Sequence, residues 1–235
     1  MKRVKIAAGL CFADYGKIGD QVAEATAAGA DYIHAEAADM YVLPDRPLMG
    51  GPQVVEGIRP RTHLPIELHC YIRECSVRFI DIVADAGADR IILPMEYFMG
   101  GAPLLYFIRR AWERGMEFGI MLDCTSPASF AEEIIHFCQR IHVVTHGIDE
   151  KGYWGWRKSQ LPMVKKLRTM IDEVKPDVEL AVDGGITHEN LDELVFAGVD
   201  VIEFSRPIFA TDVGITDAVK RIRKALDEAA AKADL

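Results

Sequence analysis

The sequence predicts an α/β chain of the (β/α)8, or TIM-barrel, class, with one barrel spanning residues 1–235. Three observations predict it. Short apolar, β-branched runs alternate with longer amphipathic stretches, which implies parallel strands joined by right-handed helical crossovers. The phrases Ala28-Gly29-Ala30-Asp31, Ala86-Gly87-Ala88-Asp89 and Ala197-Gly198-Val199-Asp200 each close an amphipathic stretch and open an apolar run, and Gly115 plays the same part. These glycines recur at near multiples of about 28 residues, one strand-plus-helix unit of a barrel of about 250 residues. Eight such units account for the whole length.

The strands are expected at 4–9, 31–36, 65–70, 90–94, 117–122, 141–146, 178–183 and 200–205. Helices are expected near 15–28, 52–60, 75–86, 103–114, 128–138, 159–174, 188–197 and 214–232. A glycine just past a helix end adopts the left-handed conformation at no Cβ cost, so each helix has a stop signal. A doubly wound open sheet is the competing topology, but no G-x-G-x-x-G follows the first strand. Two connections exceed a bare turn, at 37–52 and 147–158. Both follow strand C-termini, where barrel enzymes place their active sites, and long loops in compact domains serve as lids or binding loops.

Composition narrows the function. Half the residues are hydrophobic and 27% are charged, with a net charge of -9. Nucleic-acid binding requires basic stripes, so that partner is not expected. No apolar run approaches the roughly 18 residues that span a bilayer, and Asp14 interrupts the N-terminal apolar stretch, which fits a first strand better than a leader. Cys11, Cys70, Cys75, Cys124 and Cys138 form an odd set without a C-x-x-C, which suits a reducing cytoplasm.

The chemistry sits at strand ends. His34 and Glu36 are two apart on the second strand and share a face. His69 ends the third strand and Asp183 the seventh. Two imidazoles and two carboxylates at one barrel mouth suit a single divalent ion: Zn, Mn, Fe or Co. Glu67 is expected to support an imidazole from behind. Gly184 and Gly185, with a helix beginning near Thr187, offer backbone N–H groups to an anion. Ser205 and Arg206 follow strand eight, the other half of the usual barrel phosphate site. Tyr71, His146, Gly152, Trp154 and Gly155 are candidates for the substrate pocket and lid, and Trp156 flanks them.

Several segments resemble ribulose-phosphate 3-epimerases: Phe12-Ala13-Asp14-Tyr15 through His34, Glu67-Leu68-His69, Val182-Asp183-Gly184-Gly185-Ile186 with Glu189-Asn190, and Ile208-Phe209. The likeness is colinear over about residues 4–212. It implies metal binding by His34, Glu36, His69 and Asp183, with Glu36 and Asp183 exchanging protons on opposite faces of a phosphorylated ketose, and a homo-oligomer. Removing a proton α to a ketone makes an enediolate whose charge a Lewis acid stabilises, and inversion needs a second acid on the far face.

The chain also departs from that family's pattern. Glu36 replaces an Asp, Gly9 replaces a serine, Ala38 and Tyr71 replace methionines, and Ser205-Arg206 replaces Gly-Ser. Gly152-Tyr153-Trp154-Gly155-Trp156 stands in for a Gly-Phe-Gly-Gly lid. These changes point to a ketose phosphate other than the housekeeping pentulose. Two other readings stay open: a metal-dependent aldolase or decarboxylase, though no Asp-x-Lys-x-x-Asp run occurs, and a non-catalytic sugar-phosphate-binding relative.

Overall fold

The computed structural model describes residues 3–39, 49–72, 75–98, 104–148 and 154–233. Eight parallel strands carry the architecture: β1 (Lys5–Gly9), β2 (Tyr32–Ala38), β3 (Ile66–Tyr71), β4 (Arg90–Pro94), β5 (Glu117–Leu122), β6 (Arg140–Val144), β7 (Glu179–Asp183) and β8 (Val201–Phe204). Each pairs with its sequence neighbour, and β1 pairs with both β2 and β8, which closes the barrel. Seven connections are helical: α1 (Ile18–Ala28), α2 (Pro52–Ile58), α3 (Val77–Asp85), α4 (Leu104–Glu113), α5 (Leu161–Val174), α6 (Leu191–Phe196), and after β8 the pair α7 (Arg206–Phe209) and α8 (Ile215–Ala233). The four expected helix-stop glycines, 29, 87, 115 and 198, all have positive φ, as the left-handed cap requires.

One expected helix is absent. Residues 128–138 form two 3-10 turns, Ala128–Ala131 and Ile135–Phe137. Ala128, Ala131, Ile134, Ile135 and Cys138 are all buried. Ala128, Ala131, Ile135 and Cys138 have the spacing of an α-helical face, so the expectation of a helix there follows from the pattern although the segment folds as two short turns. Helix α6 begins at Leu191 rather than near 188, and α7 was not foreseen.

Strand parity divides the core. Ile33, Leu68, Ile91, Phe118, Ile120, Ile141, Leu180 and Ile202 point outward into one cluster with Val22, Ile80, Phe107, Leu167, Leu194 and Val219 from the helices. Each fully buried aliphatic there is worth about 1.5–3 kcal/mol, and the shell holds the strands in register. The alternate residues face the barrel axis. At the N-terminal end of that interior the filling is charged. Arg140, fully buried, reaches Glu179 at 2.8 Å and Glu67 at 3.1 Å. Arg90 reaches Glu67 at 2.9 Å and also pairs with Glu117. Lys5 lies 2.5 Å from Glu179. The Tyr32 hydroxyl meets Glu179, and its ring lies 4.8 Å from the Arg140 guanidinium.

Above β2 and β6, two short antiparallel additions extend the rim. Met49–Gly50 pairs with the end of β2, and His146–Ile148 pairs with Trp154–Trp156 as a hairpin.

Candidate active site

The inward residues one layer above the charged network form the site. β2 contributes His34 and Glu36, β3 His69 and Tyr71, β6 His142, β7 Asp183 and β8 Glu203. Glu67 accepts the Nδ1–H of His34 at 2.7 Å, as expected for a carboxylate supporting an imidazole from behind. That contact turns His34 Nε2 toward the mouth, 3.2 Å from His69 Nδ1. The ring of His142 stacks on His34 at 5.3 Å and lies 4.6 Å from His69. Its Nε2 is 3.8 Å from an Asp183 oxygen. One donor atom from each of His34, His69, His142 and Asp183 lies within 4.8 Å of all the others.

The electrostatics are strained in one direction. Burial, His142 and His34 together push His69 well below the usual imidazole range. Burial lowers His142 too, against the pull of Asp183. His34 goes the other way: burial would lower it, but the Glu67 hydrogen bond and charge raise it. Asp183 is held well below the carboxylate range, because the neighbouring His142 and Glu203 side chains favour its charged form by more than burial penalises it. Glu203 is pushed well above that range by burial and by the Asp183 charge. Burial and proximity thus drive the pair apart, Asp183 toward its charged form and Glu203 toward its neutral one.

These residues fit a divalent cation. His69 Nε2 and both ring nitrogens of His142 are buried without a hydrogen-bond partner. Buried polar groups are ordinarily paired. Three imidazoles and an ionised carboxylate make a mixed N/O donor set for an ion with bonds of about 2.0–2.2 Å. Of the four residues expected to hold it, His34, His69 and Asp183 converge. Glu36 is buried on the same face of β2 but is not a member of the close group. Its backbone is clamped: Gly51 N–H donates to its carbonyl at 2.8 Å, and a Cβ on Gly50 would meet that oxygen at 1.7 Å.

Sequence reasoning missed two residues. His142 sits in the apolar run Ile141-His142-Val143-Val144, where it was passed over, although it has the parity of His146. Glu203 faces Gly9 across the β1–β8 seam, and a Cβ on Gly9 would lie 1.3 Å from its Oε1. Read as a lost serine, Gly9 is in fact the room that Glu203 fills.

The rim candidates are placed as follows. Tyr71 lies 4.3 Å from the His69 ring, its buried hydroxyl without a partner. Gly184 and Gly185 have positive φ. A Cβ on the first would strike His146, and one on the second the Trp156 backbone at 2.6 Å. The Gly-Gly step therefore lets the hairpin lie against the end of β7. The helix beyond it is only six residues long and starts at Leu191, so the helix N-terminus expected near Thr187 is not formed. A turn held by Asn190, which donates to Gly185 O at 3.0 Å, takes its place. The Ser205 hydroxyl accepts the Phe12 N–H at 3.0 Å. Arg206 is exposed over the Phe12 ring at 4.1 Å. Gly155 and the Trp154 backbone belong to the hairpin; Gly152 lies outside the described residues.

A closed parallel barrel with carboxylates and an imidazole cluster at its C-terminal rim has the layout of a barrel enzyme. The comparisons with known proteins narrow that class. The model of the ribulose-phosphate 3 epimerase family matches residues 5–209, and the chain belongs to that family; the enzymes so named are carbohydrate epimerases, a class of isomerase. It is 30% identical over 203 residues to ribulose-phosphate 3-epimerase of Bacillus subtilis strain 168, covering 85% of this chain and 89% of that one. It is 28% identical over 211 residues to the Synechocystis enzyme of the same name, covering 88% of each. Among solved structures, KGPDC from Streptococcus mutans superposes with a TM-score of 0.69 at 15% identity, covering 97% of this chain and 99% of that one. 3-Hexulose-6-phosphate synthase from Salmonella typhimurium gives 0.66 at 16%, covering 96% and 100%. Those two likenesses are of fold.

Proposed function

We propose that this chain is a 3-epimerase of a ketose phosphate in which Glu36 and Asp183 exchange protons on opposite faces of the substrate carbon. The observation that carries this reading is topological. Glu36 on β2 and Asp183 on β7 are separated around the barrel by β1 and β8, so the two carboxylates flank the axis with the imidazole cluster beside them. Asp183, kept ionised by its neighbours, takes the C–H proton in one direction, and Glu36 delivers one to the other face. In the reverse direction the roles exchange. A divalent ion held here supplies Lewis-acid charge beside the oxygen on which negative charge develops. Glu67 fixes the tautomer of His34, and the low dielectric of the buried site strengthens each of these interactions.

The substrate phosphate is assigned to the rim between β7 and β8, with Gly184, Gly185, Ser205 and Arg206. Arg206 supplies a planar fork of donors and stands where the resembling family has Gly-Ser, which favours a substrate other than the housekeeping pentulose. We assign the pocket wall and lid to Tyr71, His146, Trp154 and Gly155; Gly152, expected with them, lies outside the described residues. All five cysteines are free, and no helix among the described residues is long and apolar enough to cross a membrane; we assign the protein to the cytoplasm. Leu105, Tyr106 and Trp112 on α4 are exposed and supply an apolar face for self-association.

The test is proton exchange in deuterated buffer, with four- to six-carbon ketose phosphates and Zn²⁺ or Mn²⁺. Deuterium is expected at the epimerised carbon of at least one substrate and not in Asp183→Asn, whose turnover falls by about 10²–10⁴-fold, the range for a lost general acid–base. No exchange with any substrate sinks the proposal, and a carbon-cleaved product replaces it with a lyase.

A further inference from the structure

We infer that His142 is a ligand of the cation site, a third imidazole beside His34, His69 and Asp183. This rests on the reading that the site holds one divalent ion, and not on the identity of the substrate. His142 lies on the inner face of β6 and is 1% exposed. Neither of its ring nitrogens has a hydrogen-bond partner, and an unmade hydrogen bond on a buried group is costly. Its Nε2 is 3.8 Å from Asp183, whose carboxylate is the one anion in the close group. The rings of His34, His69 and His142 lie 4.6–5.3 Å apart, with donor atoms on all three within 4.8 Å of one another. Packing alone would be served by a phenylalanine or a leucine, neither of which leaves two polar atoms unsatisfied. A shared cation satisfies one nitrogen on each ring at once.

A third imidazole makes the donor set nitrogen-rich, which suits Zn²⁺, Co²⁺ or Fe²⁺ better than Mn²⁺.

Two measurements test the assignment, neither depending on turnover. Wild-type protein labelled with [15N]histidine and loaded with 113Cd²⁺ should give three imidazole resonances split by cadmium; two would overturn the proposal. Zn²⁺ affinity by chelator competition should fall on the order of 100-fold or more in His142→Leu, at least the upper end of what a supporting residue costs, and a loss of about threefold or less would overturn the assignment. If His142→Leu does not fold in EDTA by circular dichroism, the cadmium spectrum of the wild type decides alone. Three couplings without deuterium exchange would sink the epimerase reading and leave this inference standing. Exchange with two couplings would do the reverse.

Discussion

The two ends of the barrel interior are built from the same kinds of residue and solve opposite problems. At the N-terminal end Lys5, Glu67, Arg90, Glu117, Arg140 and Glu179 alternate in sign, and every carboxylate there touches a cation. At the C-terminal end like groups face like: three imidazoles crowd together, and beside Asp183, whose pKa is lowered, Glu203 has its own pKa raised. The lower layer is a closed electrostatic plug that fixes strand register and holds His34 from below through Glu67. The upper layer instead leaves polar atoms of His69, Tyr71 and His142 buried without a hydrogen-bond partner. Natural sequences break their own consistency at functional sites, and here the boundary between consistent and inconsistent falls between adjacent layers of one barrel.

The largest effect should come from opening the plug. Arg140→Met leaves Glu179 and the buried Glu67 short of a partner, and breaking a buried pair from one side costs about 3–5 kcal/mol. Urea unfolding should show that loss at pH 7. Adding Glu179→Leu should restore much of it, because an apolar pair of similar volume avoids the desolvation of both charges. A single variant as stable as wild type would mean that the lower layer is no plug.

The plug was the part of the interior that the sequence concealed. Lys5, Arg90, Arg140 and Glu179 each stand at the start of a strand, where a charge is ordinarily solvated, and only barrel closure turns them inward upon one another. The outer architecture was legible, because strand and helix periodicity and the four stop glycines are local signals. His34, His69 and Asp183 were legible through their positions at strand ends. His142 was hidden by its apolar neighbours. Glu203 was hidden because its counterpart is an absence of atoms at Gly9. The helix expected at 128–138 was misread because Ala128, Ala131, Ile135 and Cys138 carry a helical spacing, yet the segment folds as two short 3-10 turns.

A sharper form of the comparison uses two glutamates of opposite linkage in metal-free protein. Glu67 has a lowered pKa, set against its burial by Arg140 and His34. Its stabilisation is therefore full above the unfolded value of about 4.3 and is lost as pH falls through the folded value. Glu203 has a raised pKa, from burial and Asp183. Its contribution is full below about 4.3 and is lost as pH rises toward the folded value. Glu67→Gln should thus be destabilised relative to wild type at neutral pH, with the gap narrowing in acid. Glu203→Gln should gain on wild type as pH rises. Urea midpoints between pH 4 and 8 in EDTA read both slopes, and slopes of the same sign would erase the distinction between the layers.

The smallest effect probes the seam where Glu203 enters. Gly9 has ordinary backbone angles, so a side chain there is opposed only by the Glu203 carboxyl, whose Oε1 would lie 1.3 Å from the new Cβ. That carboxyl is the far end of a flexible side chain and can swing away, so Gly9→Ala should cost about 1–3 kcal/mol, toward the low end for overpacking. The displaced carboxyl can no longer donate to Asp183, so the Asp183 pKa should rise toward the ordinary range, which 13C NMR of the carboxylate reads directly. In Glu203→Ala the space is open, and adding Gly9→Ala to it should cost nothing. The two substitutions should therefore couple in a double-mutant cycle by about 0.5–3 kcal/mol. Simple additivity would mean that Gly9 is small for some other reason and that Glu203 does not depend on the gap for its place beside Asp183.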